Sequence, residues 1–142
     1  MSTKKRFLIF LLLMMLAVAI GYYFYNKGPV NFKNSGALNI TAVELYNIYE
    51  DTLTTQKKIT GKVLKVAGVI SKIEMNQQNE TILFLKTNTA GAFINCSMQQ
   101  TNITLKVNDS THIKGLCSGI GQGDTDLGIK ADVYLTSCWI TE

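Results

Sequence analysis

The sequence predicts a mainly β, α+β protein. It has a small closed five-stranded barrel, one amphipathic helix before it, and a transmembrane helix at the N-terminus. Three observations predict this. A basic cluster, Lys4-Lys5-Arg6, precedes an uncharged apolar run from Phe7 to Tyr25. A capping box at Thr41 to Glu44 opens a stretch of helical spacing. Between Lys62 and Ile140, alternating segments follow one another with turn residues between them.

The apolar run comes first. Its nineteen residues rise about 28 Å as a helix, close to a hydrocarbon core of about 30 Å. Tyr22, Tyr23, Phe24 and Tyr25 crowd its far end, where an aromatic belt sits. Lys4, Lys5 and Arg6 supply three of the four net positive charges, so the basic excess reads as a topology signal. Residues 1–6 are expected in the cytoplasm, 7–25 in the membrane as a single-pass anchor, and the rest outside. The alternative is a cleaved signal peptide, because Ala17-Val18-Ala19 fits the small-x-small pattern. Against cleavage, no polar stretch precedes that site and the apolar run continues past it.

Residues 26–39 read as a flexible linker, with Gly28-Pro29 and Ser35-Gly36 as breakers. Residues 40–142 form the helix and barrel. Thr41 as N-cap and Glu44 at N3 start a helix over about 42–53, with Ile40 and Leu45 as a hydrophobic staple. Ala42, Leu45, Ile48, Tyr49 and Thr52 or Leu53 give it an apolar face. Thr54 to Thr60 is polar and leads out of it.

The strands follow. Lys62 to Ile73 alternates and is long; Gly68 in its middle marks a bulge or a barrel corner. Thr81 to Thr87, Ala92 to Ser97, Thr111 to Ser118 and Ile129 to Ile140 are the other four. Turns fall at Asn76–Asn79, Asn88–Gly91 and Asn108-Asp109, and Gly119–Gly128 is a Gly-rich loop. Residues 98–107 fit either one helical turn or an extended stretch. One long bent strand and four others suit a closed barrel better than a sandwich.

Several runs together resemble the tRNA-anti-like family of small bacterial OB-fold proteins. They are Ile40-Thr41-Ala42-x-Glu44-Leu45, Gly61-Lys62-Val63-Leu64-x-Val66-x-Gly68-x-Ile70, Phe84-Leu85-Lys86-Thr87 and Asn95-Cys96. Lys114-Gly115-Leu116-Cys117-Ser118-Gly119 and Asp132-Val133-x-Leu135-x-x-Cys138 continue the likeness, which covers roughly residues 40–140. No single motif is diagnostic; their order carries the resemblance. It implies a five-stranded OB barrel preceded by a helix, commonly behind one N-terminal anchor. It implies little about activity, because fold does not give function. One departure is visible: Asn108-Asp109 stands where these barrels more often have Gly-Asp.

Strands four and five neighbour each other in an OB barrel, which would bring Cys117 and Cys138 together. A disulfide there would close a loop of about 20 residues and contribute roughly 3 kcal/mol. The alternative is three buried free thiols, Cys96 included, acting as small apolar side chains. No C-x-x-C occurs, and His112 is the only histidine, so neither a metal site nor a cofactor is expected. His112 reads as a surface residue in an alternating strand. Asp124 and Asp126 lie in the Gly-rich loop without the later carboxylates of an EF-hand, and the loop lacks Gly-Lys-Ser/Thr. No catalytic motif is present, so the chain is expected not to be an enzyme.

Two function classes remain. The first is a membrane-tethered binding module outside the cytoplasm, taking an unknown protein, peptide or saccharide ligand. The second is a nucleic-acid-binding OB domain. Nucleic acid is the less favoured partner: from Asn26 onward 11 Lys face 10 acidic residues, with no Arg. OB barrels bind on the outer face of strands two and three. Leu83, Leu85, Ile94 and Cys96 make a consistent inward set, turning Ile82, Phe84, Lys86, Phe93 and Asn95 outward. Phe84, Lys86, Phe93 and Asn95 are therefore the candidate ligand-binding residues. The competing role for Phe84 and Phe93 is to cover the apolar face of helix 42–53.

Overall fold

The computed structural model describes residues 3–26, 32–51 and 53–142, and divides into two compact units, Met1–Val30 and Asn31–Glu142. The first unit contains helix α1 (Thr3–Asn26), which is long and apolar enough to cross a membrane. Its described apolar side chains are exposed.

The second unit is the barrel. Its elements are a 3₁₀ turn (Phe32–Asn34), β1 (Leu38–Thr41), α2 (Ala42–Asp51), α3 (Leu53–Ile59), β2 (Val63–Met75), β3 (Thr81–Lys86), β4 (Phe93–Met98), β5 (Ser110–Ile120) and β6 (Val133–Thr141). Strands β2-β3-β4-β6-β5 pair in that order and β5 returns to β2, which closes a five-stranded barrel. All pairs are antiparallel except β4–β6, which is parallel. This is an OB-type barrel. The short β1 adds a parallel pairing onto the first half of β2 and was not foreseen in the sequence.

The long strand bends because it serves two neighbours. Val63 to Val69 pairs with β5, and Ile70 to Met75 pairs with β3. The bulge lies between Ile70 and Lys72, just past Gly68. Gly68 also governs how closely the helix packs, since an added Cβ there would lie 3.1 Å from the Ala42 Cβ and 3.2 Å from Leu85. The missing side chain lets α2 approach the sheet.

Helix α2 starts as its capping box requires. The Glu44 amide donates to Thr41 Oγ1 at 3.2 Å, and the Thr41 amide donates to Glu44 Oε2 at 2.9 Å. These contacts hold the Glu44 carboxyl below its usual pKa, the backbone amide first and the Thr41 hydroxyl second. Ala42, Leu45, Tyr46 and Tyr49 are buried, so the apolar face includes Tyr46, while Ile48 is only half-buried. Thr52, the other expected member of that face, lies outside the described residues. The polar stretch after it is a second helix, α3, bound to α2 by Gln56 Nε2 donating to the Tyr49 carbonyl at 2.7 Å.

The core is one cluster. Leu64, Val66, Ile70, Leu83, Leu85, Ile94, Ile113, Val133 and Leu135 fill the barrel, and the buried face of α2 joins them. The ambiguous segment 98–107 is irregular beyond Met98, and packs Ile103 and Leu105 against this core.

Residues 32–39 are part of the fold and not free linker. Lys114 on β5 is only 9% exposed. Its Nζ donates to the Lys33 carbonyl at 2.9 Å and also to the Ser35 carbonyl. Lys33 Nζ in turn lies 5.4 Å over the Trp139 ring on β6. Of the rest of the expected linker, Asn26 is the last residue of α1, and residues 27–31 fall outside the described residues.

The turn at Asn108-Asp109 accounts for the departure from Gly-Asp. Asn108 has φ +73°, the left-handed region that glycine favours and asparagine tolerates. Asp109 Oδ2 accepts from the Lys106 amide at 2.8 Å and closes the turn.

Candidate functional site

The register places a row of side chains across four strands on the outer face of the barrel. Lys72 on β2 is opposite Phe84 on β3, Phe84 is opposite Asn95 on β4, and Asn95 is opposite Tyr134 on β6. Lys86 and Phe93 form the adjacent pair. The expected inward set of Leu83, Leu85, Ile94 and Cys96 is fully buried, so the alternation is as the sequence implies.

Phe84 and Phe93 are half-buried and meet edge to face, with centroids 6.1 Å apart and planes at 86°. Neither ring belongs to the core cluster that the buried face of α2 joins.

The expected cation is displaced. Lys86 Nζ donates to Asn108 Oδ1 at 2.9 Å. Lys72 occupies the aromatic pair instead, with Nζ 5.3 Å from the Phe84 centroid, and also pairs with Glu74.

Asn95 is the most constrained residue of the row, at 8% exposure. Its Nδ2 donates to Asp132 Oδ2 at 3.0 Å, and Asp132 Oδ1 accepts from the Phe93 amide at 2.9 Å. Asp132 therefore fixes both the orientation of Asn95 and the end of β4. It also fixes the amide assignment, since the Asn95 oxygen facing a carboxylate would be repelled. The Asn95 Oδ1 is then left buried with no hydrogen-bond partner, alone in this among the side-chain polar atoms of the described residues. An unpaired buried carbonyl costs about 1–3 kcal/mol.

Tyr134 stands 44% exposed at the end of the row. Its ring lies over Gly121, where an added Cβ would be 2.8 Å from the ring carbon Cε2. Sequence reasoning missed Asp132, Lys72 and Tyr134 as site residues. The signal for Tyr134 was present: Val133 and Leu135 face inward, so alternation turns Tyr134 out.

The three cysteines lie on three different strands. Cys96, Cys117 and Cys138 are free and buried. A register shift between Lys114 and Leu116 sets Cys117 opposite Leu135, and Cys138 packs over Gly115. The Cys117 thiol meets the Tyr49 hydroxyl at 3.1 Å, and that hydroxyl also bonds Thr60 Oγ1 at 2.7 Å. Burial, then the Cys117 contact, pushes the Tyr49 phenol up to about 12.

His112 is exposed, in a cleft of about 340 Å³ with Asn39, Thr41, Glu44 and Lys65. The cleft's main charges are committed elsewhere: Glu44 caps α2, and Lys65 Nζ donates to the Glu142 carbonyl at 2.7 Å. In the Gly-rich loop, Asp124 Oδ1 accepts from the Asp126 and Leu127 amides at 3.0 and 3.1 Å, which makes it a turn residue.

A family model described as tRNA_anti-like matches residues 1–127, from α1 to the loop before β6. No curated protein matches the chain.

Proposed function

Because the chain belongs to the tRNA_anti-like family, we propose that it is a non-catalytic, membrane-tethered OB-fold binding module. Its ligand is an uncharged one, of saccharide or peptide type. It docks on the outer face of β3 and β4. The observation that carries this reading is the buried, unpaired Asn95 Oδ1 beside Phe84, Phe93 and Tyr134. A ligand that brings a hydrogen-bond donor and a flat apolar face would satisfy the oxygen and use the rings. The oxygen is buried in the free protein, so docking requires a neighbouring group to move.

The charge distribution favours an uncharged ligand. Asp132 sits behind Asn95, Lys72 is shared between Glu74 and Phe84, and Lys86 is held by Asn108. Little remains to attract phosphates. In this reading α1 is an uncleaved anchor, with Lys4, Lys5 and Arg6 in the cytoplasm and the barrel outside.

The experiment uses the full chain in lipid nanodiscs with a labelled oligothymidylate. Negligible binding is expected at both low and high salt. Tight binding that weakens steeply with salt would favour the nucleic-acid alternative. Protease accessibility in sealed, right-side-out vesicles tests the topology. Protection of the barrel would overturn it, and an intact mass beginning at Ile20 would remove the anchor.

A further inference from the structure

The hydrogen-bond polarity of the β3–β4 face traces back to one main-chain group. The amide of Phe93 can only donate. It donates to Asp132 Oδ1 at 2.9 Å. The other oxygen of the same carboxylate accepts from Asn95 Nδ2 at 3.0 Å. An ionised carboxylate is acceptor-only, so it holds Asn95 by the nitrogen and not by the oxygen. The Asn95 oxygen is therefore turned away from Asp132. Among the described residues, it is the buried side-chain polar atom left without a partner.

Asp132 is itself held in place. Its main-chain carbonyl accepts from the Gly121 amide at 2.8 Å, and the next residue, Val133, is fully buried. Asn95 is buried too, between Phe84 on one neighbouring strand and Tyr134 on the other. A half-turn of its terminal amide exchanges oxygen and nitrogen with almost no change of shape. The partner at residue 132 then decides which of the two atoms points away from it.

Resting on the reading of the outer β3–β4 face as the binding site, we propose that Asp132 is the positioning residue that sets its hydrogen-bond sense. It acts through Asn95 and makes the site select ligands that carry a donor, a hydroxyl or an amide N–H. Ligands of the same shape that carry only acceptors, such as ethers and ketones, are rejected. Exchanging the carboxylate for an amide of the same shape inverts this sense. In Asp132→Asn the side-chain oxygen stays on the Phe93 amide, which leaves the new Nδ2 facing Asn95. Asn95 then turns its oxygen toward residue 132 and its own Nδ2 away. The group offered to the ligand changes from an acceptor to a donor.

The test uses the isotopically labelled full chain in lipid nanodiscs, with phenol as the donor probe and acetophenone as the acceptor probe. Both are flat and uncharged. Binding is read from the Phe93 main-chain amide and Tyr134. In wild type, phenol should bind about tenfold more tightly than acetophenone, the worth of one hydrogen bond. In Asp132→Asn this preference should vanish or reverse. An unchanged preference for phenol in the variant would overturn the proposal and leave the face standing as the binding site. No shift from either probe in wild type would remove the binding reading, and the proposal with it. The free wild-type protein supplies a second readout that needs no variant. Asn95 Nδ2 is bonded to Asp132, so its protons should exchange slowly with water. Exchange as fast as at an exposed side-chain amide, such as Asn79, would overturn the proposal.

Discussion

The carboxylate of Asp132 holds the side-chain amide of Asn95 across 37 residues of sequence, with Nδ2 to Oδ2 at 3.0 Å. One end of Asn95 is satisfied by this contact and the other is left buried and unpaired. That asymmetry is a cost in the folded protein, and in the proposed function it is the feature a ligand would recognise.

Asn95→Leu should therefore be nearly neutral. The variant loses a hydrogen bond to a charged group, worth about 1.5–3 kcal/mol, and removes an unpaired carbonyl that costs about 1–3 kcal/mol. Asp132→Asn should destabilise by about 2 kcal/mol, since it weakens the contacts to both Phe93 and Asn95. Urea unfolding of the two variants measures the difference. A large loss in Asn95→Leu would mean that the oxygen is satisfied after all.

Phe84→Ala should cost only about 1–2 kcal/mol, below the usual range for a core phenylalanine, because its ring lies outside the core. Leu45→Ala, at a fully buried position, should cost about 2–5 kcal/mol. The ordering of the two, by thermal or urea unfolding, checks that α2 is covered by the barrel and not by Phe84.

Alkaline pH should weaken the fold through Tyr49. Its folded pKa is raised from 10.0 to about 12, with burial the largest cause. The stabilising contribution is full below the unfolded value and is lost as pH rises from about 10 through about 12. Tyr49→Phe should lose that part of the pH dependence and about 1–2 kcal/mol at neutral pH. Unfolding midpoints taken across this window, compared between the two proteins, provide the measurement.

Gly115→Ala should destabilise by about 1–3 kcal/mol, because the new methyl would lie 2.5 Å from the Cys138 Sγ and 3.1 Å from the Thr136 carbonyl. Pairing it with Cys138→Ala should recover part of the loss, and additive losses would place the conflict elsewhere.

Features that rest on local chemistry were legible in the sequence. Thr41 and Glu44 are three residues apart, and their reciprocal bonds need nothing from the rest of the chain. The outward placement of Phe84, Phe93 and Asn95 followed from simple alternation. What was hidden depends on distant partners. β1 is four largely exposed residues, and only its pairing with β2 makes it a strand. Asp132 acts on Phe93 and Asn95 from 39 and 37 residues away. Lys86 looked like the cation of the site, but the Asn108 turn takes it, and Lys72 arrives from β2 by register. Cys138 depends on a bulge at Ser137, and nothing in the local sequence requires a serine at positive φ.

The most direct test is a titration of the isotopically labelled full chain, in lipid nanodiscs, with phenol and with anisole. The two probes share a flat ring, but only phenol carries a hydrogen-bond donor. A site built around an unpaired acceptor discriminates strongly against an analogue that lacks the donor. Phenol should shift the Phe93 backbone amide, the Asn95 side-chain amide and Tyr134, and anisole should leave them nearly unmoved. Equal shifts from both probes, or none from phenol at these positions, would contradict the assignment of this face as the binding site.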